Sequence, residues 1–442
     1  MTLLNHCAIL TALLVAIAPS AARASTPPVA IVNVHVLRLD RGDVLRGQTV
    51  IVDGGVIREM APAGKVTIPE GARTIEGTGK YLMPGLVDLH VHLHGNPEHE
   101  QHALLKLFVA NGVTTVLNLR GNPQILDLRA DVAQGRVLGP TIYTAGPYVN
   151  EPFVTTPDEV ERAVVEQKRA GYDFIKLHGD LSREAYARLN SVARREGIRV
   201  VGHAPRNLGL DVLFEEGQYA LAHAEEFVYD RENTSRNAVA RIEPKIPELA
   251  RSMVQAKMWL MPNLTAYKMV RREVEDLDAV LARPEMKYLP ATVQKIWGPA
   301  TNPYTNRFDK KLVPEMKELY GLLEKIVRGF DAAGVGLLVG TDAMNAGVVP
   351  GTSAHDELAD LVAAGLTPLE ALRAATMNAA AFLAVPGQRG LIDVGQNADL
   401  VLLEANPLED IGNSRRLAGV MLRGRWLSPS DLRKMLDELA GP

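Results

Sequence analysis

The chain has 442 residues, 47% of them hydrophobic and 23% charged, and a formal net charge of −4. That length exceeds one small domain and allows a large barrel with a satellite, or two to three mid-sized domains. The mild negative charge and the lack of a long basic block argue against nucleic acid or an anionic membrane surface as a partner.

The chain opens on an apolar run, AILTALLVAIA at residues 8–18, followed by Ala22-Arg23-Ala24. This pattern reads as an export signal cut near Ala24, although no Lys or Arg precedes the run. It is too short for a permanent bilayer anchor. A periplasmic or secreted protein is therefore expected, without membrane attachment once residues 1–24 are removed. The only cysteine, Cys7, lies in this segment, so the mature chain would have neither a disulfide nor a cysteine nucleophile.

Residues 25–80 read as β-structure, with a hairpin signal at Asp53-Gly54-Gly55. From 81 to 385, short apolar runs recur at LVDLHVHL, VTTVLNL, TIYTAG, YDFIKLH, RVVGHA, YALAHA, MWLMPNL and VGLLVGTDA. Amphipathic stretches separate them, which is the pattern of a parallel (β/α)8 barrel. The gap at about 265–333 is too long for one crossover helix and predicts a helical insertion or lid. Residues 386–442 return to short strands. The expected class is α/β, with both chain ends building one small β-sandwich-like domain beside the barrel.

His90 and His92 stand two apart in the first barrel run, and a strand places such residues on one face. Histidines two apart also occur by chance on strand faces, so this pair alone is a modest signal. His203, His223 and Asp342 each close a later run, where a barrel of this kind carries its chemistry. Several histidines with one carboxylate suit a divalent metal such as zinc. Lys176 lies in the apolar run YDFIKLH, where a buried ammonium beside histidines would be costly. The plainer reading is a lysine at a strand end that reaches solvent.

Arg120, Tyr148, Asn263 and Tyr267 follow predicted strands and are candidate substrate contacts, Arg120 for a carboxylate. His94 and His178 are weaker pocket candidates. His355 and Glu357 fall on a Gly/Pro-rich stretch and are expected at the surface.

Together these residues resemble the amidohydrolase superfamily over essentially the whole mature chain. LVDLHVHLHG is similar to its first-strand motif, and ATMNAAAFLAVPGQRGLIDVGQNADLVLLEANPL to its return to the β-domain. The closer likeness is to imidazolonepropionase-like and prolidase-like members. Imidazolonepropionase itself uses one metal and lacks a fourth-strand lysine, so Lys176 points to the two-metal subtype with a carboxylated, bridging lysine. The resemblance implies that His90, His92 and Asp342 hold one ion, His203 and His223 the other, and Lys176 lies between, with zinc the expected metal.

It also implies hydrolysis of amide bonds by a metal-bridging hydroxide, with Asp342 moving the proton. Dipeptides of the Xaa-Pro kind or N-acyl amino acids are the expected substrates, and a homo-oligomer is left open. A lactonase, esterase or phosphotriesterase on the same centre is the alternative, since such sites polarise C=O and P=O alike. A non-catalytic binding protein on this scaffold is a remote reading, because all six positions are filled.

Overall fold

The computed structural model describes residues 27–93, 98–229 and 234–440. The expected export signal and His94 lie outside these residues. Among the described residues, no helix is long and apolar enough to cross a membrane.

Five strands come first: β1 (Val29–Arg38), β2 (Asp43–Asp53), β3 (Val56–Pro62), β4 (Arg73–Glu76) and β5 (Tyr81–Pro84). The hairpin between β2 and β3 turns on Gly54 and Gly55, whose φ values of 59° and 79° suit a two-residue turn with both φ positive. Eight barrel-type strands follow: β6 (Leu86–Val91), β7 (Val113–Asn118), β8 (Thr141–Thr144), β9 (Phe174–Leu177), β10 (Arg199–Gly202), β11 (Ala220–Ala222), β12 (Trp259–Met261) and β13 (Gly336–Leu337). Each arises from one of the eight apolar runs. The chain closes with β14 (Leu400–Leu403), β15 (Leu417–Leu422) and β16 (Arg425–Leu427).

The two chain ends share one sheet, in the order β16-β15-β14-β5-β1-β2-β3 with β4 beside β1. The join is the antiparallel pair β14·β5, running from Leu400↔Pro84 to Leu403↔Tyr81. Hydrogen bonding is continuous across that join, so the strands form one sheet over a common core where a sandwich was expected. Ile31, Val50, Leu82, Leu400 and Trp426 are among the residues packed there.

The eight middle strands are parallel but do not form one unbroken ladder. They divide into β6-β7-β8 and β13-β12-β11-β10-β9. In place of the unbroken ladder expected of a closed barrel, there are two parallel sheets whose edges meet through the isolated bridges Ala145↔Phe174 and Val91↔Ala343. The reason is local: β13 is two residues long, and the chain beyond it reaches β6 through single bonds. Leu89 N donates to Val339 O at 2.9 Å, and Asp342 N to His90 O at 2.7 Å.

The N-terminal ends of these strands are plugged by the helix Met377–Phe382. Its Phe382 ring stacks on Phe174 at 5.2 Å and joins Val87, Leu117, Val201 and Met261 in one cluster. The opposite, C-terminal ends remain for the site.

Helices Leu264–Leu281, Ala291–Trp297 and Val313–Ala332 occupy the long gap before β13. The first of them starts on a buried carboxyl group, whose pKa burial pushes well above the ordinary carboxylate range. Leu264 N and Thr265 N donate at 3.0 and 2.7 Å to the two oxygens of Glu357, which is 0% exposed. The surface positions expected for His355 and Glu357 are thus corrected. Both lie in the helix Thr352–Ala364, whose packed faces hold them. His355 bridges Ser414 Oγ and Asn111 O, each at 2.9 Å.

Replacing Glu357 with alanine strands two buried N–H groups at about 1–3 kcal/mol each. Urea unfolding of Glu357→Ala should show a loss of about 2–5 kcal/mol, with Glu357→Gln intermediate. Wild-type stability in the alanine variant would contradict this anchoring.

Candidate active site

All six residues expected at the centre converge at the C-terminal strand ends. His90 lies within β6 and His92 just beyond it, while Lys176 is in β9. His203 and His223 directly follow β10 and β11, and Asp342 follows β13. The His90 ring is 5.2 Å from that of His92 and 4.9 Å from that of His223, which lies 4.8 Å from His203. Asp342 Oδ1 is 3.2 Å from His90 Nε2 and 2.7 Å from His92 Nε2, and its Oδ2 is 3.9 Å from His223 Nε2. Lys176, 0% exposed, brings Nζ to 3.5 Å from His90 Nε2.

Two glycines permit this crowding. At Gly202, φ is 128°, and a Cβ would stand 2.0 Å from Leu177 O and 2.9 Å from Lys176 Cδ. At Gly340 a Cβ would meet His90 Cβ at 2.9 Å. Four non-glycine residues also carry positive φ here: His223 (71°), Asn263 (52°), Asp342 (61°) and Met344 (84°). Such backbone costs of order 1–3 kcal/mol each and persists where its surroundings impose it.

Those surroundings are polar latches. Asp88, fully buried, accepts from His90 N at 3.3 Å, Thr341 N at 3.0 Å and Thr341 Oγ1 at 2.6 Å, clamping β6 to the turn that carries Asp342. Asn345 donates to Asp342 Oδ2. Glu226 Oε1 lies 2.7 Å from His203 Nδ1 and 2.6 Å from Arg206, which leaves Nε2 as the His203 nitrogen available to the cavity.

The electrostatics favour metal binding. Burial holds His90 well below its ordinary pKa, lowers His203, and brings His178 and His223 down to about 3, so their nitrogens keep lone pairs. Burial opposes charge on Asp342, but the histidines around it, foremost His90 and the hydrogen-bonded His92, more than offset this and hold its pKa well below the carboxylate range. Lys176 is lowered to about 8 by burial, against the pull of Asp342 and Glu226. Ligand atoms of His90, His92 and Asp342 all lie within 4.8 Å of one another. Neutral imidazoles around an anionic carboxylate are a donor set that fits a divalent cation.

A cavity of about 750 Å³ opens over this cluster. Arg120, Tyr148 and Tyr267 line it, as expected of candidate contacts. Arg120 lies 4.9 Å over the Tyr148 ring, Tyr148 stacks on His178 at 4.5 Å, and His178 meets His203 edge-on at 4.7 Å. Asn263 has a different place. It is 1% exposed, is not among the lining residues, and its Oδ1 accepts from His223 N at 3.1 Å.

Glu226, Arg206, Asp88 and Asn345 escaped the sequence reading. Only Glu226 left a trace, as one of two acids directly after His223 in YALAHAEEF.

The Amidohydrolase family model matches residues 81–427, and the chain belongs to that family. It is a metal-dependent hydrolase acting on carbon–nitrogen bonds. An uncharacterised protein of Mycobacterium tuberculosis is 26% identical over 415 residues, covering 90% of this chain and 96% of that protein. Bottromycin amidohydrolase is a structural neighbour with a TM-score of 0.73 and 24% identity, covering 94% of this chain and 91% of its own. A Xaa-Pro dipeptidase with bound methionine in its active site superposes with a TM-score of 0.70 and 20% identity, over 91% of this chain and 100% of that one.

Gly202→Ala should destabilise the protein by about 3–5 kcal/mol in chemical unfolding. Gly217→Ala is the control: φ is 64° there, but no atom lies within 4 Å of the new methyl, so only backbone strain of about 1 kcal/mol is expected. Equal stability of the two variants would show that close approach at Gly202 does not matter.

Proposed function

We propose that the chain hydrolyses amide bonds of Xaa-Pro-like dipeptides or N-acyl amino acids, outside the cytoplasm after loss of residues 1–24. The observation that carries this is the convergence of four histidines, Lys176 and Asp342 at one set of strand ends beneath a ligand-sized cavity. The likeness to a Xaa-Pro dipeptidase and to Bottromycin amidohydrolase supports it. We read the two parallel sheets as a single (β/α)8 barrel with weak seams at β8/β9 and β13/β6.

His90, His92 and Asp342 would hold one divalent ion and His203 and His223 a second, with Lys176 between them and zinc favoured by the nitrogen-rich set. Such ions supply a water acidified toward neutrality and a polarised scissile carbonyl. Asp342 is the buried base at the centre, placed to take a proton from the attacking water and return it to the leaving amine. Glu226 fixes the orientation of His203, as carboxylates do for metal-bound imidazoles. Arg120 offers its guanidinium to a substrate carboxylate. Lys176 in its neutral amine form would form an N–C bond to carbon dioxide at Nζ and release one N–H proton to solvent, giving a carbamate anion that could serve as a metal ligand.

The test is elemental analysis of the mature protein with a panel of dipeptides and N-acyl amino acids. About two divalent metals per chain and chelator-sensitive amide cleavage are expected. Lys176→Ala and Asp342→Asn should each lower kcat/KM by about 10³-fold or more while keeping the wild-type circular dichroism spectrum. Full activity in either variant would overturn the two-metal reading. Metal binding without amide cleavage would redirect the search to lactones, esters and phosphotriesters.

A further inference from the structure

The cavity over the histidines has two unlike walls. On one side stand Arg120, Tyr148 and His178, which follow β7, β8 and β9. On the other stand Val293, Ile296, Trp297, Phe308, Leu312 and Met316, all from the segment between β12 and β13, which also brings the polar Tyr304, Arg307 and Glu315 to the lining. In the strand order β6 to β13, joined at its edges by the two bridges, β8 and β12 lie opposite one another. The histidines and Asp342 sit between the two walls.

The second wall is built rather than incidental. Val293 and Trp297 are each 3% exposed, and Met316 packs with Val274 and Val313 in a small core that Phe308 joins. Yet Ile296 and Leu312 are 56% and 38% exposed where they line the cavity. Single exposed apolar residues are ordinary on a protein surface. Two of them on one cavity, backed by a packed apolar wall, mark surface kept for a ligand.

We propose that this wall is an apolar subsite and that the substrate is an N-acyl amino acid with a large apolar acyl group, aromatic or long-chain. The inference rests on the amide-hydrolase reading above. With the amino-acid carboxylate at Arg120 and the amide over the histidines, the acyl group points to the insertion. Water oxygen bonds to the acyl carbon, the C–N bond breaks, and a proton passes to the amine, which releases an apolar carboxylic acid and a free amino acid. A cavity of about 750 Å³ leaves this wall uncovered when the acyl group is only acetyl.

The experiment compares N-(2-naphthoyl)-L-alanine with N-acetyl-L-alanine on the metal-loaded mature protein and on the double variant Ile296→Ser, Leu312→Ser. Both positions are solvent-facing, so the variant should fold. The naphthoyl substrate should exceed the acetyl one in kcat/KM by about 10- to 100-fold, and the double variant should lose at least about tenfold of that ratio. Calorimetry with 2-naphthoate should show saturable binding that weakens in the variant. Cleavage of both amides at equal rates, or a preference or naphthoate binding untouched by the variant, overturns the subsite and leaves the amide-hydrolase reading standing. Variant-sensitive naphthoate binding without cleavage of either amide upholds the apolar wall and overturns the N-acyl amino acid substrate, while the dipeptide panel decides the amide-hydrolase reading. Absence of both overturns the subsite and the substrate together.

Discussion

The structure is organised around one buried charge, the carboxylate of Asp342. A carboxylate at 6% exposure is costly unless neighbours compensate it. Here the neighbours are three imidazole nitrogens within 3.9 Å and the amide of Asn345. His90 and His92 arrive with β6, His223 with β11 and Asn345 with the turn of Asp342 itself, and these can meet only if the strand ends lie close together. The Asp88 clamp and the missing side chains of Gly202 and Gly340 serve that approach. Positive φ at His223 and Asp342 belongs to the same requirement, because an extended backbone would carry these side chains elsewhere.

A second layer keeps the first in register. Glu226 orients His203, Asn263 holds the His223 backbone, and Glu357 holds the start of the helix that follows Asn263. The helix Leu264–Leu281 thus begins on the scaffold beneath the centre and runs out into the segment that forms the apolar wall. One end of the insertion is fixed by buried polar contacts. Farther along, Val293 and Trp297 pack into the main core, while Val274, Val313 and Met316 form a small core beside it. That the wall comes from an inserted segment and the charged centre from strand ends accords with the general rule that reaction class follows the site while specificity follows the loops.

The family match covers residues 81–427, and the solved neighbours named here are at most 24% identical and speak for the fold. A centre that polarises carbonyl and phosphoryl groups alike leaves substrate choice to the cavity walls. The stack Arg120–Tyr148–His178–His203 and the apolar face opposite it are therefore the features on which the proposed specificity depends.

Every middle strand was legible in the sequence, because an apolar run of four to eight residues between turn signals is local information. So was the placement of His90, His92, His203, His223 and Asp342 at strand ends, since residue order along a strand sets which end a side chain occupies. The turn at Gly54-Gly55 was legible for the same reason. What tertiary structure alone decided concerns contacts between distant segments. The weak seams arise from how far β13 and β8 extend beside their neighbours, which no single run encodes. His355 and Glu357 are buried because the insertion and the Ser414 loop fold over them. Asn263 supports His223 because β11 and β12 end side by side. The facing of Arg120 and the apolar side chains of the insertion across one cavity depends on segments far apart in the chain. Local periodicity records which face of an element is apolar, and packing decides what that face meets.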